Sequence, residues 1–283
     1  MASSLTRMRP FLQRRLLAVT LLIAALVTLF LGYARLAPVL RHAAFLTGWA
    51  LLAICLLLTA YNGRKKLPFL PLGNSRTWLQ VHAYVGYFAV GLFVVHTGWR
   101  WPSGWFEGVL AALYVAVTLS GALGLAWSRI VPRRLTACGD DVVFERIPMV
   151  RRELAERAEQ LALDSVVSTR SAAIADFYNL HLAGYFVDPG SLWSHWIGSR
   201  QGSRRLLEKL DDLQRFLNAD QKPVLAELIE LVRRKEALDE QHALQLSLRL
   251  WLFTHIPLTY SLLVATAFHV VLVFGFSSGV GFR

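Results

Sequence analysis

Residues 82–96 read HAYVGYFAVGLFVVH, an apolar stretch that begins and ends on histidine. At 100° per residue, a spacing of fourteen brings His96 back to within about 40° of His82. The two imidazoles therefore share one face of a helix. The apolar run around them, 79–98, is long enough to cross a bilayer, which takes roughly 20 helical residues. Four other runs meet the same measure, at 13–34, 43–61, 106–127 and 250–275. The first of these, with Arg14 and Arg15 at its start, resembles a secretory leader but is expected to stay as a span.

Composition points the same way. With 55% hydrophobic and 17% charged residues and a mean hydropathy of +0.43, the chain is too apolar for a soluble domain of its length. Its net charge of +11 suggests nucleic acid only until the charges are placed. Segment 128–250 holds 18 Lys/Arg and 18 Asp/Glu, and the rest of the chain holds 12 Lys/Arg against Glu107 alone. The excess thus belongs to the membrane part, and a nucleic-acid partner is not expected.

Arg7, Arg9, Arg14 and Arg15 precede the first span, and Arg64, Lys65, Lys66 and Arg76 lie between the second and third. The alternate loops carry only Arg35 with Arg41, then Arg100, then Arg283. The positive-inside rule puts the N-terminus in the cytoplasm. Arg129, Arg133 and Arg134 fall on that same side, so five spans leave the C-terminus outside and make 128–249 a cytoplasmic insert. The expected organisation is 1–127 with four spans, the 128–249 insert, and 250–283 with the fifth span and a short tail.

The fifth span, WLFTHIPLTYSLLVATAFHVVLVFGF (251–276), repeats the opening pattern with His255 and His269. A lone intramembrane histidine often only bonds a neighbouring helix. Spacing alone is also weak evidence, because His181 and His195 are fourteen apart across the helix-breaking Asp188, Pro189 and Gly190. The other two pairs combine membrane depth, a common face and parallel helices, since one span intervenes between them. His82 can then lie level with His255, and His96 with His269. Each level supplies two imidazoles, enough to fill both axial positions of an iron porphyrin, with the irons about 21 Å apart along the helices.

Cys55 and Cys138 supply no CxxCH haem attachment, no four-cysteine cluster and no paired-cysteine zinc site. A flat macrocycle needs small neighbours, and Gly86 and Ala89 lie on the ligand face of span three; Phe93, on the same face, is placed at the ring edge. Thr259, Leu262 and Thr266 occupy the corresponding face of span five. Gly121, in the SGALG of span four, allows close approach to a ring or equally to a helix. Arg76 and Arg249, each six residues before a histidine, are candidates for the propionates of the inner haem, and Arg100 for those of the outer; snorkelling to lipid phosphate competes at each. Trp99, Trp101 and Trp105 read as an interfacial belt.

His82 with His96 and His255 with His269, each as H-x13-H on alternate helices, resemble the di-haem transmembrane cytochromes b. That superfamily includes the membrane part of ferric reductases and NADPH oxidases and the cytochrome b of quinol-oxidising complexes. The resemblance covers spans three to five, about a quarter of the chain. It implies two non-covalent b-type haems, electron transfer across the membrane and, in such complexes, a quinone. The long insert departs from that pattern. It shows no Gly-rich phosphate loop, and the few residues after span five hold no flavin or nicotinamide domain. Electrons are therefore expected to arrive singly.

The insert itself reads as helices from Pro148, from Ser203 and from Pro223, the last running on into span five, with an aromatic-rich turn, FYNLHLAGYFVDPGSLWSHWIG (177–198), between the first two. The expectation is an all-α protein: a five-helix transmembrane bundle with a helical cytoplasmic insert between helices 4 and 5, in a bacterial inner membrane. It would act as the di-haem subunit of an oxidoreductase, linking a quinone pool or soluble donor to a c-type cytochrome or iron-sulfur protein. Two rivals stay open, a self-sufficient ferric or oxygen reductase and a non-redox anchor or metal transporter using the four histidines.

Overall fold

A computed structural model describes residues 2–39, 43–66, 74–139, 142–188, 190–197, 199 and 201–277. Among the described residues all regular structure is helical. The helices are α1 (Ala2–Leu36), α2 (Ala43–Lys66), α3 (Ser75–His96), α4 (Trp105–Ala137), α5 (Ile147–Thr169), α6 (Ala173–Phe177), α7 (Ala183–Val187), α8 (Leu192–Ile197), α9 (Gln201–Gln214) and α10 (Lys222–Ser277). A π-helical turn, Tyr178–Leu182, joins α6 to α7. Five of the helices, α1 to α4 and α10, are long and apolar enough to cross a membrane. Large side chains along them stay exposed, including Leu16 at 66%, Phe253 at 77% and Val271 at 67%. Apolar exposure on this scale suits hydrocarbon rather than water.

The chain divides into two compact units, 1–125 with 253–283, and 126–252. In the first, α3 packs closely on α2 and α1. Gly91 makes the α1 contact possible, because a Cβ there would collide with the side chain of Leu26. No comparably extensive backbone packing joins α3 to α10 among the described residues. Ring contacts bridge the wider gaps: Phe93 of α3 stacks on Tyr114 of α4 at 4.1 Å, and Phe45 of α2 meets Phe274 of α10 edge-on at 5.7 Å. After His96 the chain turns through Gly98 and Trp99, both with positive φ (61° and 63°). Glycine adopts that backbone freely; for Trp99 it is an uncommon conformation.

The second unit has an ordinary apolar core. Helix α5 buries Leu154, Ala158, Leu161 and Ala162 on one stripe, against Leu206 and Leu210 of α9, Leu225, Leu228 and Val232 of α10, and Phe186 of α7. Pro148 sits in the first turn of α5, where its missing N–H costs nothing. Helix α10 runs unbroken for 56 residues from this amphipathic part into its apolar part. Buried charges follow the core along α10. Asp239 accepts from Arg151 at 2.7 Å and pairs with Lys235 at 2.6 Å, while Lys235 also donates to the carbonyl of Asp188 at 2.7 Å. Glu240 holds Arg134 at 2.8 Å.

Candidate functional site

The four membrane histidines all fall in the first unit, on α3 and α10, and each meets a neighbouring helix. At the end of α3, Nδ1 of His96 lies 3.2 Å from Oγ1 of Thr47 on α2. The Thr47 hydroxyl in turn points at the carbonyls of Ala43 and Ala44, at 3.1 and 3.0 Å, as a hydroxyl on a helix commonly does. The next residue, Gly48, comes so close that a Cβ would stand 3.0 Å from Cε1 of His96. Fourteen residues earlier on α3, the ring of His82 lies 5.2 Å from that of Tyr61 on α2. Leu58, Trp78 and Val85 line a small cavity with them.

On α10, Nδ1 of His255 lies 3.2 Å from Oγ of Ser120 on α4. A Cβ on Gly121 would stand 3.6 Å from Cε1 of His255, an ordinary contact. His269 faces the ring of Phe106 on α4, with centroids 6.5 Å apart and planes 25° apart. The level pairing of His96 with His269 and of His82 with His255 is an expectation from helix register.

Of the other residues singled out from the sequence, Gly86 is half-buried, yet a Cβ there would meet nothing within 4 Å. Ala89 is buried, and Phe93 is taken up by Tyr114. Thr259 and Thr266 donate to the carbonyls of His255 and Leu262 on their own helix. Arg76 falls in the first turn of α3, with its side chain outside the described residues. Arg100 is exposed just beyond α3. Arg249 belongs to the second unit, where it pairs with the exposed Glu145 and lies over the ring of Phe144 at 4.0 Å. His181 sits edge-on to Phe177 at 4.9 Å, and His195 is buried 3.6 Å from Glu236, both in the second unit.

Two imidazoles at each level would suit a bis-imidazole haem better than a bare ion. A bare Zn ion wants three or four side-chain ligands. No three His, Cys, Asp or Glu side chains converge for that purpose among the described residues. A porphyrin brings four nitrogens of its own and asks the protein for two. A Cβ at Gly86 would meet nothing within 4 Å, room that would suit a flat ring, and Nδ1 contacts at His96 and His255 leave Nε2 for a metal.

Sequence reasoning passed over Thr47, Gly48, Tyr61, Phe106 and Ser120. Thr47 and Tyr61 on α2, and Phe106 and Ser120 on α4, are themselves fourteen apart, but nothing in the sequence marks that interval as a set of histidine partners. No protein-family model, curated protein or solved structure matches this chain.

Proposed function

We propose that this chain is the di-haem b-type cytochrome subunit of a membrane oxidoreductase, moving electrons between the two membrane faces. The observation that carries the reading is the doubled H-x13-H pattern on α3 and α10, with every one of the four imidazoles set against a side chain of a neighbouring helix. Bound haem supplies reversible one-electron exchange at its iron. His82 and His255 would hold the inner haem and His96 and His269 the outer. Gly86 keeps side-chain bulk out of the ring's path. Arg76 and Arg100 lie at the ends of α3, where propionates or lipid phosphates would find them.

The bias of Arg and Lys toward alternate loops supports a cytoplasmic N-terminus and insert and an extracytoplasmic C-terminus. A bacterial inner membrane is the setting proposed. Electrons enter from a quinone or a soluble one-electron donor, and a c-type cytochrome or iron-sulfur protein is the partner class on the other side. The test is a pyridine haemochrome assay on the purified, monodisperse chain. Two haems b per chain are expected; one or none would overturn the reading.

A further inference from the structure

We infer that α2 and α4 form the supporting half of this ligand set, each presenting a hydroxyl–glycine pair that locks one imidazole with Nε2 turned toward iron. The inference rests on the di-haem reading above and extends it to residues outside the histidine pattern.

The chemistry begins with one proton. A neutral imidazole has one N–H and one lone pair, and only the nitrogen with the lone pair can bind iron. The Thr47 hydroxyl has a single hydrogen, and it is shared between the carbonyls of Ala43 and Ala44. Toward His96 the Thr47 oxygen is therefore an acceptor, and the Nδ1–H of His96 donates to it across 3.2 Å. The lone pair then lies on Nε2. Ser120 stands at the same 3.2 Å from Nδ1 of His255, where as an acceptor it would favour the same tautomer.

Each hydroxyl is followed by glycine, Thr47-Gly48 and Ser120-Gly121, and in each case the glycine faces the Cε1 edge of the ring, at 3.0 Å and 3.6 Å from where its Cβ would be. The hydroxyl fixes the ring's rotation, and at Gly48 the missing side chain admits its edge, whereas Gly121 has room for a methyl. Because α2 runs antiparallel to α3, and α4 to α10, the same fourteen-residue interval brings an aromatic ring to the other histidine of each helix: Tyr61 to His82 and Phe106 to His269. Each expected haem thus has one imidazole held by a hydroxyl–glycine pair and one beside an aromatic ring. Thr47, Gly48 and Ser120 are positioning residues.

Transfer of haem from the detergent-solubilised full chain to excess apomyoglobin, followed optically, tests this alongside low-spin EPR spectra. Loss of a partner that orients a metal-bound histidine typically costs at least about tenfold in metal retention. Thr47→Val should speed one of two transfer phases by about tenfold and shift one EPR signal; Ser120→Ala should do so for the other phase and signal. Thr47→Ser should restore wild-type behaviour. Thr59→Val, which removes an α2 hydroxyl bonded only to its own helix at Cys55, should change neither. Gly48→Ala should shift the signal that Thr47→Val shifts, whereas Gly121→Ala, with room for a methyl, should not. Wild-type chain without haem would overturn the functional reading itself. Two haems in wild type, with Thr47→Val and Ser120→Ala matching Thr59→Val in rate and spectrum, would overturn the support by α2 and α4 alone. So would acceleration of the same phase by both variants.

Discussion

A histidine in a lipid-facing helix is costly unless its ring nitrogens are used, and under the proposed di-haem reading His82, His96, His255 and His269 would each give one to iron. Replacing His82 or His255 by Ala should remove one haem, replacing His96 or His269 the other, and His181→Ala should leave both; the pyridine haemochrome count checks this. Gly86 allows a graded test of where the ring lies. A methyl there meets nothing within 4 Å, so Gly86→Ala should keep both haems, whereas Gly86→Leu should lower the haem content of chain that still elutes as a folded species. Retention of two haems by Gly86→Leu would place the macrocycle elsewhere. The ligand candidates were visible in the sequence because a shared helix face follows from residue number alone. Thr47 and Ser120 were not, since a hydroxyl in a membrane helix ordinarily bonds back to its own chain, as Thr59, Thr259 and Thr266 do.

Helices α5, α9 and the first half of α10 were readable from apolar residues at helical period, but the charges lying among them were not. Asp239 and Lys235 are each 1% exposed as side chains, and Arg151, at 14%, completes the set. Removing one member of a buried ionic group leaves the others uncompensated, at about 3–5 kcal/mol. Asp239→Asn should therefore lower the melting temperature of the second unit sharply. Arg157→Ala, which breaks the half-exposed pair with Glu227, should cost at most about 1 kcal/mol. Followed by thermal denaturation in detergent, equal effects from the two would mean that the α10 charges are solvated. Tyr185 contributes a pH dependence. Burial and then the nearby Glu236 carboxylate, which accepts from its hydroxyl at 3.2 Å, hold the phenol well above its ordinary range. A raised acid stabilises the fold fully below its unfolded pKa, about 10, and that contribution is lost as pH rises beyond it. Tyr185→Phe should flatten the alkaline fall in stability above about pH 10, measured by tryptophan fluorescence; an unchanged slope would count against the buried phenol.

For the molecule as a whole, sidedness is the property most open to test. In a chain with Cys55 and Cys138 replaced by Ala, a cysteine at Gln201 should react with an impermeant maleimide only after the membrane is opened, and one at Ser103 should react in intact cells. The reverse pattern would exchange the two faces. The spans, the orientation bias and the two histidine pairs could be read from the sequence by itself, because hydropathy, charge and helix phase are properties of one segment at a time. Tertiary structure alone decided that α2 backs α3 and that α4 backs α10, which makes Thr47-Gly48 and Ser120-Gly121 imidazole supports. It also shows Arg249, near a histidine in number, paired with Glu145. The reason is physical: burial in lipid can be satisfied by any apolar face, so periodicity constrains which side of a helix turns inward. The identity of the neighbour it meets depends on packing between segments distant in the chain.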